Sequence, residues 1–123
     1  MQTDKEKAVD FLNQVVAGHI DDAYTKYVDM HGTHHNAYFL AGFTSLKQAM
    51  LEDHAQHPNK RITVKNAIGE ADLVAVHSHL VFKPGELEMS VVHIFRFKDG
   101  MIVEMWDIGQ GIPMDSPNQA SAF

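Results

Sequence analysis

The chain has 123 residues, 45% of them hydrophobic and 21% charged, enough for one domain with one core. Its formal net charge of −6 argues against nucleic acid or an anionic membrane as partner, and no apolar run is long enough to cross a bilayer. The absence of cysteine excludes disulfides and thiolate chemistry, and nine histidines are the unusual feature.

The N-terminal stretch MQTDKEKAVD lacks the apolar core of a signal peptide, so a cytoplasmic location is expected. Thr3 and Glu6 have capping-box spacing, and Ala8, Phe11, Leu12, Val15 and Val16 follow at helical period, with Gly18 suited to the stop. A short second helix is expected over DDAYTKYV, with Asp21 and Asp22 at its positive end. Residues 29–43, DMHGTHHNAYFLAGF, show no sustained period and read as a long loop. Ser45 and Gln48 suggest another capping box for a helix over LKQAMLEDHAQH, before Pro58.

From Arg61 onward the period changes to two. RITVKNAI and LVAVHSHLVF read as strands joined by GEAD, and KPGELE leads to a final hairpin over residues 91–110, VVHIFRFKDGMIVEMWDIGQ. The rest of the chain, from about residue 110, reads as an irregular tail. Helices followed by strands predict an α+β fold: N-terminal helices on a curved antiparallel sheet enclosing a pocket, in one domain over residues 1–123.

The hairpin sets His93 and Asp107 among Val, Ile, Phe, Met and Trp. A two-residue Asp99-Gly100 loop would put His93 on one face with Trp106 and leave Asp107 on the other. A three-residue turn closed by Gly100, a G1 bulge, sets His93 opposite Met105 and Val91 opposite Asp107. The bulged register is preferred because Lys-Asp-Gly suits it. One face then carries Val91, His93, Phe95, Phe97, Met101, Val103, Met105 and Asp107; the other carries Ile94, Arg96, Glu104 and Trp106. A carboxylate among apolar neighbours can serve as base and then as acid near neutrality, and an adjacent imidazole can donate to a developing oxyanion. That combination suits proton abstraction beside a carbonyl.

The hairpin, with its F-R-F, D-G, I-V-E and W-D elements, resembles the C-terminal hairpin of the SnoaL-like polyketide cyclases within the NTF2-like superfamily. KYVDMHGTHHNAYF resembles the family's segment after the second helix. The resemblance implies a conical α+β fold, a homodimer, and a pocket inside the cone for a small apolar carbonyl compound. It implies an aldol-type acid/base role for Asp107 with His93 on the preceding strand, fourteen residues earlier, and no cofactor. Asn36, with His35 beside it, falls where the family places a polar pocket residue, and a hydrogen bond from Asn36 to the substrate oxygen is expected. His77, Val91, Phe95, Val103 and Met105 complete the expected lining. Two departures bear on substrate: Met105 stands where many relatives carry His, and HGTHHNAYFLAGF replaces the usual His-Asn-Pro.

Three function classes stay open: a cyclase- or isomerase-like enzyme, a non-catalytic ligand-binding domain of the same fold, and a histidine metalloprotein. The last would need convergence among His31, His34 and His35, or His77 and His79; no metal ligand is assigned. Ile94 and Trp106 form an apolar patch with no helix to cover it, which points to a homodimer through the outer sheet face.

Overall fold

The computed structural model describes residues 1–123. The Thr3–Glu6 capping box forms: the Thr3 hydroxyl accepts from the Glu6 amide at 3.1 Å, and the Glu6 carboxylate accepts from the Thr3 amide at 3.0 Å. It opens α1 (Asp4–Val16), whose apolar stripe buries Ala8, Phe11, Leu12 and Val15. Helix α2 (Ile20–Tyr27) buries Ile20, Ala23, Tyr24 and Tyr27. Helix α3 (Phe43–Gln56) starts two residues before the expected Ser45 cap, after Gly42 at φ +94° and without a side-chain cap. Phe43 and Leu46 are both buried by the core, and that packing sets the helix start where capping chemistry does not.

A five-stranded sheet has the order β1-β5-β4-β3-β2. Strands β2 (Arg61–Glu70), β3 (Leu73–Lys83), β4 (Leu87–Lys98) and β5 (Met101–Gly111) form the expected antiparallel meander. Strand β1 (Val28–His34) corrects the expected loop over residues 29–43: α2 runs directly into it, and it pairs parallel to β5 at the sheet edge. The sheet is therefore mixed. The pattern VDMHGTH hides this strand because only Val28 and His34 are buried, leaving no apolar alternation to read.

All three helices cover one face of the sheet. Their apolar stripes meet Val74, Val76, Phe95, Phe97, Ile102 and Met105 in a single cluster. Phe11 stands edge-on to Tyr24 and Phe95, at 5.3 and 5.9 Å between ring centres. Phe95 is fully buried, and its truncation to alanine would cost about 3–5 kcal/mol. No helix is long and apolar enough to cross a membrane.

The β4–β5 turn differs from the expected one. Asp99 (φ +51°) and Gly100 (φ +78°) form a two-residue loop with both central residues left-handed, as a type I′ turn requires. The extra residue lies further along: Phe97 pairs with Ile102 and Arg96 with Glu104, so Val103 bulges out of β5. There β1 crosses so close to the Val103 carbonyl that no side chain fits at Gly32. Beyond the bulge the expected faces are restored, as far as Asp107; on its turn side they are reversed, with Ile102 in the core opposite Phe97 and Met101 paired with Lys98.

Candidate active site

Beyond the bulge, His93 of β4 pairs directly with Asp107 of β5, closer than the diagonal relation expected from sequence. Alternation places both on the helix-covered face with Phe95 and Met105, which pair with each other two residues away. The two polar groups do not bond to each other. The His93 ring lies nearly parallel to that of Phe95, 6.0 Å away, and its Nδ1 is buried without a hydrogen-bond partner. Burial pushes the His93 imidazole below its ordinary value, and the negative charge of Asp107 opposes that shift only in part.

Asp107 is held from the other side. The Asn36 side-chain amide donates to both carboxylate oxygens, at 2.7 and 2.8 Å. Asn36 is itself oriented: its Oδ1 accepts from the Tyr38 amide at 2.9 Å, and its own backbone N–H donates to His34 Nδ1 at 3.2 Å. With Nδ1 accepting, the His34 ring donates through Nε2 to the Leu40 carbonyl at 2.7 Å. The buried His34 therefore pins the loop that delivers Asn36. Asn36 thus holds Asp107, a role beyond the expected one of donor to substrate, for which the second N–H of the same amide is available.

Two further groups belong to this region, and the sequence reading does not single them out. Tyr24 of α2 is buried; burial first, and the Asp107 charge second, raise its phenol above the usual range. Nothing in DDAYTKYV distinguishes it from an ordinary core tyrosine. Ser78 is fully buried on the inner face of β3, and its hydroxyl has no partner. Its signal is readable: in LVAVHSHLVF it occupies the same parity as Val74 and Val76, a polar residue in an apolar row.

The other expected lining residues divide. Val91, Phe95 and Met105 are buried on the inner face. Val103, displaced by the bulge, instead borders a shallow depression with Val28, Met30, Lys98 and Met101. His35 and His77 are corrections, because both sit on the outer face. His35 donates to Glu104 at 2.7 Å and stacks on Trp106 at 5.0 Å, while Arg96 bridges Glu104 and Asp72. The His35 bond, and Arg96 after it, hold Glu104 below the usual carboxylate range. His77 bonds to the Ser90 hydroxyl at 2.8 Å, His79 to Glu88 at 2.6 Å, and both rings lie against Phe123 of the tail. Parity explains both: His77 alternates with Val76 and Ser78, and His35 follows the inward-facing His34.

No group of three or more His, Asp or Glu side chains is arranged to hold a metal ion. His31, His34 and His35 diverge, to solvent, inward to Leu40 and outward to Glu104. An open depression of about 730 Å³ lies between residues 38–40 and α3, lined in part by Tyr38, Phe39, Leu40 and Leu51. It does not include His93, Asp107 or Asn36.

A family model described as the SnoaL-like domain matches residues 6–105, ending two residues before Asp107. No curated protein matches the chain. Among solved structures, a SnoaL-like polyketide cyclase from Agrobacterium tumefaciens superposes with a TM-score of 0.71 at 17% identity, covering 89% of this chain and 93% of its own. IdmH from Streptomyces antibioticus gives 0.71 at 18% identity with the same coverages. An NTF2-like protein of unknown function from Cytophaga hutchinsonii also gives 0.71, at 11% identity, covering 89% and 92%. At these identities the likeness is one of fold.

Proposed function

The chain belongs to the SnoaL-like domain family, and from that premise we propose that it is an acid/base enzyme acting on a small carbonyl compound, with Asp107 as the base. One observation carries this reading. A carboxylate fixed by Asn36 at both oxygens faces an unpartnered, buried imidazole nitrogen across one strand pair. The inner face there offers a proton acceptor and a free potential donor side by side.

In the proposed step, an Asp107 oxygen takes a proton from the carbon beside a carbonyl. The C–H electron pair becomes the enolate double bond, and the carbonyl π pair moves to oxygen. His93 donates a hydrogen bond to that oxygen; its shift below the ordinary value favours the neutral ring, which still carries one N–H. Buried Val91, Phe95 and Met105 keep water from the enolate. If the same molecule holds a second carbonyl, the enolate carbon attacks it, a C–C bond forms, and Asp107 returns its proton to the new alkoxide. This is an intramolecular aldol closure, the chemistry that the resemblance to the SnoaL-like polyketide cyclases implies. Atoms and electrons balance with no cofactor.

The test does not require the natural substrate. Acetophenone in deuterium oxide should exchange its methyl hydrogens faster with the protein than without it, read by proton NMR. Asp107→Asn keeps the side-chain shape and removes the base, so exchange should fall to background while acetophenone still binds. Full exchange by Asp107→Asn would remove Asp107 from the base role, whereas acetophenone binding to wild type with no acceleration of exchange would leave the non-catalytic binding domain as the reading.

A homodimer through the outer face is proposed as well. Ile108, 63% exposed, extends the apolar surface that Ile94 and Trp106 begin. Part of that surface is already covered within the chain, since His35 stacks on Trp106 and the Arg96 guanidinium lies 5.9 Å from its ring.

A further inference from the structure

The proposed reaction makes no use of Ser78, although Ser78 is the least accommodated polar side chain in the core. It is fully buried, its hydroxyl has no hydrogen-bond partner, and it stands in a row of valines. A buried hydroxyl left unpaired has given up its hydration for nothing, so such groups are rare and need a reason. The chain has two other orphaned buried atoms, and one of them is His93 Nδ1.

The register relates the two. Ser78 pairs with Val91 and Val76 pairs with His93, so Ser78 and His93 are diagonal neighbours on the inner face of β3 and β4. Asp107 lies beyond His93 on β5. Ser78, His93 and Asp107 thus lie on three adjacent strands in that order, Ser78 diagonal to His93 and Asp107 directly opposite it. Diagonal positions on one sheet face stand roughly 7–8 Å apart, near enough for two side chains to converge on one atom between them.

We infer that the Ser78 hydroxyl and His93 Nδ1 flank a single ligand oxygen, and that Ser78 is a second donor to the carbonyl on which Asp107 acts. This rests on the acid/base reading and adds an orientation to it. The oxygen of the ketone or aldehyde points toward β3, and its acidic C–H points toward β5. A donor on β3, a second on β4 and a base on β5 match the charge shift of enolisation, in which negative charge leaves Asp107 and arrives at the oxygen. Neither donor then lacks a partner once the ligand is in place.

Acetophenone and ethylbenzene, the same skeleton with and without the oxygen, supply the test with Ser78→Ala in the intact protein. Wild type should bind acetophenone more tightly than ethylbenzene, measured by NMR titration. Ser78→Ala should reduce that preference at least fivefold and leave ethylbenzene affinity unchanged. Catalysed exchange of the acetophenone methyl hydrogens should fall on the order of a hundredfold, the usual effect of losing one oxyanion donor. Its melting temperature should hold or rise, because an unpaired hydroxyl has been removed. A lowered melting temperature with the ketone preference and exchange intact would mean that the hydroxyl serves a buried water, and would overturn the inference. The two readings fail separately. Unchanged exchange in Ser78→Ala removes Ser78 alone, whereas unchanged exchange in Asp107→Asn removes the base.

Discussion

Asn36 reaches across 71 positions of sequence to hold both oxygens of Asp107 with one amide nitrogen, at 2.7 and 2.8 Å. The pair joins the loop after the parallel edge strand to the last strand of the meander, and it sets the direction in which the carboxylate faces His93. The Asn36 amide cannot be reversed without cost, because its oxygen accepts from the Tyr38 backbone. Asp107 is thus oriented before any ligand arrives.

Asn36→Ala should therefore lower turnover without lowering affinity. Removing both bonds lets the carboxylate rotate, and a displacement of about 1 Å at a reacting group can cost on the order of a hundredfold in rate. The expected result is a fall of roughly tenfold to a hundredfold in catalysed acetophenone exchange, with its dissociation constant within about twofold of wild type. A loss confined to affinity would instead make Asn36 a direct contact of the ligand.

His93 predicts a pH dependence of stability with a definite sign. Its folded-state value lies below the ordinary histidine value of 6.5, because burial disfavours the charged ring. Below pH 6.5 the unfolded chain gains a proton at this residue more readily than the folded one, so acid favours unfolding. The stabilisation is complete above about pH 6.5 and is lost as pH falls toward the folded-state value. Between neutral and mildly acidic pH the melting temperature of wild type should fall more steeply than that of His93→Leu, since only the wild-type chain gains a proton at this residue on unfolding. Parallel curves would mean that His93 titrates alike in both states.

Dimerisation through the outer face is best probed at Ile108. Trp106→Glu would also break the His35 stack, one residue from Asn36, and would mix assembly with site geometry. Ile108→Glu places a charge on a side chain already 63% exposed, so it perturbs little within the chain. Sedimentation velocity should show a dimer for wild type at tens of micromolar, a concentration ordinary specific interfaces tolerate, and a shift toward monomer for Ile108→Glu. An unchanged dimer would place any interface on another face.

The N-terminal cap, the three helices and the four-strand meander are all legible in the sequence, because each rests on local signals. Thr3 and Glu6 are three residues apart, and the apolar period changes once, near Arg61. The face shared by His93 and Asp107 is legible too, although through the wrong device. The residues KDG do permit a bulged turn, yet the chain makes a tight two-residue loop and takes up its extra residue at Val103. That bulge coincides with the close crossing of β1 at Gly32, a contact between segments distant in the chain.

What only the tertiary structure decided follows from the same physics. Strand β1 has no periodic signature because it is an edge strand buried only at its two ends, so its parallel pairing with β5 had to come from packing. Without that strand, nothing in the sequence could tell that His34 turns inward, His35 outward and Asn36 back to Asp107. Residue type alone favours His77 for the pocket, yet parity gives the inner face to Ser78. Local periodicity specifies which residues share a face, because side chains alternate along any strand. Which face receives the helices, and which distant loop completes it, depends on burial summed over the whole chain. Composition and spacing do not carry that sum.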